Sequence, residues 1–353
     1  MSAIVTQKSP SIGHSSLPGT ILVPDCSQSE QNAAVVYLAS LGSPASRKMA
    51  ASRLNCIARF FGYHDAIQCK WELMRYEHVI KFIDHLKNTS GKSSRHQTND
   101  SSLRLCTINA YLVTIKAVLK TAWSLGQMRD GDLLRIRSVK SVRGVEEPGG
   151  RALTFRETRA ILKACDGNAP RDLRDRAILS LLIGNGLRRA EITRIQLSDI
   201  NQEDQSIRIL GKGRKERKIV LIAEVWEALM DWISVRETLE KRNQFGQTNG
   251  NGDYVFCRFT NRDKAIVPGN SLVPYSVANI IEKRMEIAGK SVPSLEDVKC
   301  HDFRRTFATR LFEKNVDAIV IRDLMGHANI ATTARYDKRG ESAMRRAMEK
   351  VEL

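Results

Sequence analysis

The chain has 353 residues, 42% hydrophobic and 27% charged, which is the balance of a globular protein of about two domains and not of a disordered one. Its net charge of +17 is shared, with 19 basic against 11 acidic residues in positions 1–150 and 37 against 28 in positions 151–353. Two basic halves fit a protein that grips a polyanion from two sides, and no run of 18 or more apolar residues supports membrane insertion, so nucleic acid is the expected partner and a membrane is not.

The start, "MSAIVTQKSPSIGHSS", lacks the basic stretch and apolar run of a secretory signal. The seven cysteines (26, 56, 69, 106, 165, 257, 300) are scattered, without C-x-x-C or zinc spacing. Both observations point to reduced thiols, a cytoplasmic setting and no metal site.

Residues 1–30, rich in Ser, Pro, Gly and Gln, read as a flexible extension. Helical patterning begins near Asn32. In "SPASRKMAASRLNCIARFFG" Ser43 is a candidate N-cap with Pro44 at the first helical position, and Met49, Leu54, Ile57, Phe60 and Phe61 fall near a 3.6 period. "RYEHVIKFIDHLK" and "TINAYLVTIKAVLKTAWSLGQM" behave alike, giving a helical domain over 31–140. Its candidate DNA contacts are Arg47, Lys48, Arg53, Lys116 and Lys120. Asp130-Gly-Asp132 reads as an ordinary polar turn and not as a metal-binding carboxylate pair.

A linker is expected over 141–150, and a second domain over 151–353 opens with a capping box of Thr154 and Glu157. "RDRAILSLLIGNGLRRAEITRIQ" reads as two helices broken at Gly184-Asn185-Gly186. The period then changes: "QSIRILGKGRKERKIVLI" is a β-hairpin pattern around a Gly-rich turn. A helix follows at "VWEALMDWISVRETLEKR", then a polar loop, then three more helical pieces. The fold class is therefore mainly α, with a small antiparallel sheet in the second domain.

Five short segments could carry chemistry, each weak alone. Arg188 follows a Gly-Asn-Gly break; Lys212 sits in the hairpin turn with Arg214 and Lys215; His301 and Arg304 lie three apart on one helix; His327 follows a helix-ending glycine; and Tyr336 lies nine residues later. Neither nucleotide loop is complete, since "GNGLRRAEI" lacks the third glycine and no Ser or Thr follows Lys212 as a P-loop needs. Together the residues suit metal-free phosphoryl transfer to a side chain. Guanidiniums neutralise phosphoryl oxygens, lysine protonates an alkoxide, histidine takes a proton, and tyrosine attacks once cations stabilise its phenolate.

In this combination the second half resembles the catalytic domain of the tyrosine recombinase (phage integrase) family. "GLRRAE" resembles its Arg-x-x-Glu motif, "GKGRKER" its hairpin lysine, "HDFR" its His-x-x-Arg motif and "LMGH" its Leu-Gly-His motif. Asn185 stands where threonine is usual and Arg305 where a second histidine is frequent. The first domain is similar to the family's helical core-binding (SAM-like) domain, with no motif as sharp.

The resemblance implies a C-shaped clamp on double-stranded DNA carrying specific recombination sites. It implies Tyr336 as nucleophile, with Arg188, Arg304 and His327 on the phosphoryl oxygens, Lys212 as proton donor to the 5′ oxygen, His301 as acceptor or orienter, and Glu191 in support. No cofactor is implied. Four protomers would act together, with a second recombinase or a DNA-bending accessory as further partners. "ESAMRRAMEKVEL" would be a helix donated to a neighbour, on the spacing of Met344, Ala347, Met348 and Val351. Integration or excision of a mobile element is the expected role, with Xer-like dimer resolution the alternative. A non-catalytic DNA-binding regulator is the alternative of another class, and a type IB topoisomerase is disfavoured by the helical first domain. The small residues Ala328 to Arg335 are expected to form a movable connector to Tyr336 instead of a packed segment.

Overall fold

The computed structural model describes residues 32–89, 103–144, 149–211, 215–241, 253–259, 265–296, 298–340 and 348–349. The extension expected over 1–30, Lys212 and Arg214, and all of the expected C-terminal helix except residues 348–349 lie outside them. The chain divides into two compact units, Met1–Glu147 and Pro148–Leu353.

The first unit is helical: α1 (Ala33–Ser40), α2 (Pro44–Phe60), α3 (Tyr76–Asn88), α4 (Leu105–Ser124) and α5 (Asp130–Ser138). Asn32 caps α1 by accepting from the Ala34 amide at 2.9 Å, and Ser43 caps α2 by accepting from Ser46 at 3.1 Å. The buried stripe of α2 is Ala50, Leu54, Ile57 and Ala58. Met49 lies off that stripe and is 55% exposed, departing from the expected apolar face, whereas Phe61, the cap after the helix, is half-buried and packs against the core.

The central element is α4, which touches α1, α2, α3 and α5. By length and composition alone it could cross a membrane, but Ile108, Leu112, Ile115, Leu119 and Ala122 make it a core helix. Truncating a fully buried member such as Ile115 to alanine costs about 2–5 kcal/mol. Asp130 and Asp132, expected in a loop, instead open α5. Acidic groups suit the positive end of the helix, and Asp132 pairs with Arg75 at 3.4 Å.

The second unit begins with α6 (Phe155–Lys163), α7 (Pro170–Asn185) and α8 (Arg189–Ile192). The expected capping box of α6 is present, with Thr154 Oγ1 accepting from the Glu157 amide at 3.2 Å and Glu157 accepting from the Thr154 amide at 2.8 Å. Seven consecutive residues of α7, Ala177 to Ile183, are buried, so it is a core helix wrapped by its neighbours. It runs through Gly184 and Asn185 and stops only at Gly186, whose left-handed φ of +60° ends the helix.

The sheet follows as β1 (Ile200–Asn201), β2 (Ser206–Leu210) and β3 (Glu216–Val220), antiparallel in that order, with Ser206 opposite Val220 and Leu210 opposite Glu216. Next come α9 (Ala223–Lys241), then β4 (Cys257–Phe259) and β5 (Ile266–Ser271), an antiparallel pair that the sequence pattern does not announce. The chain continues as α10 (Pro274–Gly289), α11 (Cys300–Glu313), α12 (Ala318–Met325) and α13 (Ile330–Ala334). A large core joins α7, α9, α10 and both sheets. A smaller one gathers Ala308, Phe312, Ile321, Met325 and Tyr336.

Part of the positive charge is structural. Arg236 is fully buried and bonded to Glu240 at 2.8 Å, to Asp253 and to the Tyr254 carbonyl. Arg284 pairs with Asp172 at 2.8 Å and Asp175 at 2.7 Å. Buried cations need such partners.

Candidate active site

Two left-handed glycines and two helix ends build the centre of the site. Gly186 ends α7 and Gly326, also at φ +60°, ends α12. Helix C-termini present carbonyls without intrahelical partners, and arginines take them here. Arg304, buried at 2% exposure, donates Nη1 to the Gly186 carbonyl at 2.7 Å and Nη2 to the Met325 carbonyl. Arg188 donates to the same Met325 carbonyl at 3.4 Å and to the Gly326 carbonyl at 3.2 Å. Sequence positions far apart are thus brought to one point, and the two guanidiniums share an acceptor.

Arg188 directly precedes α8, and the Glu191 carboxylate accepts from its backbone amide at 2.9 Å and from its Nη1 at 2.7 Å. Burial pushes the Glu191 carboxyl up, but bonds from Arg217 and Arg188 outweigh it and hold the group below the usual carboxylate range. Burial, followed by repulsion from Arg188, brings Arg304 down to about 10, so it stays cationic at neutral pH.

Tyr336 is 7% exposed, and its hydroxyl lies 3.1 Å from His301 Nε2. His301 is in the first turn of α11, one helical turn before Arg304. Burial and the neighbouring guanidiniums of Arg304 and Arg305 lower its pKa, which favours the neutral imidazole that can accept a phenol proton. The Arg305 guanidinium lies 5.9 Å from the Tyr336 ring centroid and donates to the Gly149 carbonyl at 2.8 Å.

His327 stacks near Tyr336, with centroids 6.2 Å apart and planes at 22°. Its Nδ1 is 2.8 Å from Thr333 Oγ1. Burial and the charges of Arg304 and Arg188 push its pKa down to about 4. When Thr333 donates, the ring proton sits on Nε2 and is free to donate elsewhere. The stretch from Ala328 to Arg335, expected as a movable connector, contains the short helix α13; it is exposed apart from Thr333, which is fully buried with its hydroxyl against the His327 ring.

A cavity of about 570 Å³ is lined by Arg188, Lys215, Arg217, Arg322, Gly326 and His327, among others. Lys212 lies outside the described residues; of its neighbours, the Gly211 amide donates to the Lys215 carbonyl at 2.8 Å. Among the other expected DNA contacts, Arg47, Lys48 and Lys120 are exposed and Arg53 is half-buried. Lys116 departs from expectation. Its ammonium donates to the carbonyls of Arg137, at 3.0 Å, and of Val139, so it serves the end of α5.

Sequence reading missed Arg217 and Thr333. Arg217 shares a strand face with the buried Ile219, a placement that asks for a partner and was the available signal. No motif marks Thr333.

The phage integrase family model matches residues 151–342, more than half of the chain, and the protein belongs to that family. Among curated relatives, tyrosine recombinase XerC of Actinobacillus succinogenes is 33% identical over 172 residues, covering 48% of this chain and 50% of that protein. The XerC of Proteus mirabilis is 26% identical over 267 residues, 76% of this chain and 75% of the relative. Apart from that longer match, the chain spans about half the length of the curated relatives it matches. Among solved structures, the Tn1549 transposon integrase in complex with transposon right end DNA has a TM-score of 0.64 at 18% identity, covering 91% of this chain and 99% of the other. The XerH recombinase bound to its difH substrate has a TM-score of 0.59 at 19% identity, covering 93% and 85%. These likenesses establish the shared fold.

Proposed function

We propose that the protein is a site-specific DNA recombinase that cuts and rejoins double-stranded DNA through a 3′-phosphotyrosine. The observation that carries this reading is the Tyr336 hydroxyl 3.1 Å from His301, on the helix that also holds Arg304. The Tyr336 oxygen attacks phosphorus and loses its proton to His301. The bond to the 5′ oxygen breaks, and Lys212 protonates that oxygen. Arg188 and Arg304 balance the charge on the non-bridging oxygens, and neutral His327 donates a hydrogen bond to one of them. The phosphotyrosine conserves the bond energy, so a 5′-hydroxyl from a partner strand reseals the DNA with no external energy source.

The substrate is duplex DNA with a specific site, bound by both basic units, with four protomers acting in the cytoplasm and a partner recombinase or DNA-bending accessory protein assisting. Integration and excision of a mobile element is the preferred role. Similarity to XerC proteins over three quarters of one relative favours a second role, Xer-like resolution of chromosome or plasmid dimers.

The test uses a binding site selected from random duplex DNA and nicked so that religation is lost. Wild-type protein should form a covalent adduct and Tyr336→Phe none. A wild-type protein that binds the site without forming an adduct would show the DNA-binding regulator instead.

A further inference from the structure

Glu191 is 5% exposed and has both carboxylate oxygens filled by four donors. Two belong to Arg188, its amide and Nη1. The others belong to Arg217, with Nη1 3.1 Å from Oε1 and Nη2 2.9 Å from Oε2. The Arg217 side chain is only 12% exposed, and its Nε donates to the Leu324 carbonyl at 3.0 Å. A Cβ placed on Gly326 would lie 2.8 Å from Arg217 Nη1, so the glycine is needed where the guanidinium passes.

We propose that Arg217 is a positioning residue for the phosphoryl-binding Arg188, acting through Glu191; this rests on the strand-transfer function argued above. Two consequences follow from the geometry. First, a guanidinium fork fixes the plane of the carboxylate it meets, and that plane fixes where Arg188 Nη1 is held. Second, Glu191 with Arg188 alone is a neutral pair, whereas Arg217 restores one positive charge to the group. Arg188 therefore keeps its charge for a phosphate instead of surrendering it to Glu191. Arg217 stands on β3, so one side chain ties that strand to Glu191 in α8 and to the Leu324 carbonyl near the end of α12.

The experiment is a double-mutant cycle on the nicked substrate, read as the single-turnover rate of adduct formation, with DNA affinity measured in parallel. Arg217→Gln should slow adduct formation roughly 100-fold, the scale of an ångström of misplacement, while DNA affinity stays within about two-fold. In an Arg188→Ala background the same change should cost less than about three-fold, because what it positions is gone. Arg217→Lys, a point charge without the fork, should recover part of the rate, and it serves as the tested variant if Arg217→Gln does not fold. An equal loss in both backgrounds, or a loss of DNA affinity that matches the loss of rate, would overturn the proposal. If wild-type protein forms no adduct, the strand-transfer function itself fails and the proposal falls with it.

Discussion

Replacing Thr333 by valine tests whether the segment between His327 and Tyr336 is a built part of the site. Thr333 is fully buried and its hydroxyl is 2.8 Å from His327 Nδ1. Valine preserves the shape of the side chain and removes only the hydroxyl, so α13 should keep its packing. The lost bond and the stranded ring nitrogen together cost about 1–3 kcal/mol. His327 is half-buried and water can reach part of the ring, which places the expected value near the lower end, about 1–2 kcal/mol. For a unit of this size each kcal/mol moves the melting temperature by roughly 2–4 °C. The adduct rate should fall about ten-fold or more, because the histidine loses the partner that selects its tautomer and ring orientation. Thr333→Ser, which keeps the hydroxyl, should retain most of the rate. Melting by differential scanning fluorimetry and single-turnover cleavage measure the two effects. A Thr333→Val protein that melts within a degree of wild type and cleaves at the same rate would refute the orienting role.

Other outcomes follow from the same geometry. His327 has a pKa near 4 in the folded chain against 6.5 for an unperturbed histidine, so the unfolded chain binds the proton more readily between those values. Stability should therefore fall as pH drops from about 6.5 toward 4, with His301 acting in the same direction, and His327→Gln should flatten the slope of melting temperature against pH. An unchanged slope would show that other groups set it. Gly186→Ala forces a left-handed alanine and meets Phe307 Cδ1 at 2.6 Å, so a loss of at least about 1–2 kcal/mol is expected in urea unfolding, along with slower cleavage through the displaced Arg304 acceptor. Lys116→Met should lower the melting temperature of the first unit while leaving the salt dependence of DNA binding unchanged. Lys120→Met should instead reduce that salt slope by about 0.9, the signature of one lost phosphate contact.

Much of the site was legible because its residues belong to local patterns. A glycine that ends a helix, a hairpin turn rich in lysine and a His-x-x-Arg pair each occupy a few adjacent positions, where spacing alone constrains what the chain can do. The helical character of both units was legible for the same reason, since a 3.6-residue period is a property of neighbours in sequence. Boundaries were less so: the extent of α7 past Gly184 depends on tertiary burial, and β4 and β5 are too short to show an alternation.

What only the tertiary structure decided is which groups share an acceptor or a partner. That Arg188 and Arg304 converge on the Met325 carbonyl, that Arg217 closes the Glu191 carboxylate, and that Thr333 holds His327 are contacts between residues up to 137 positions apart or hidden inside an unremarkable run of small residues. Lys116 shows the converse. Its charge was visible in the sequence, but burial turned its ammonium inward to two carbonyls. Composition and spacing pointed to the kind of chemistry proposed for this chain, because charge and period are local properties. Packing determined which side chains hold that chemistry in place, because a buried polar group takes whichever partner the fold brings within hydrogen-bonding distance.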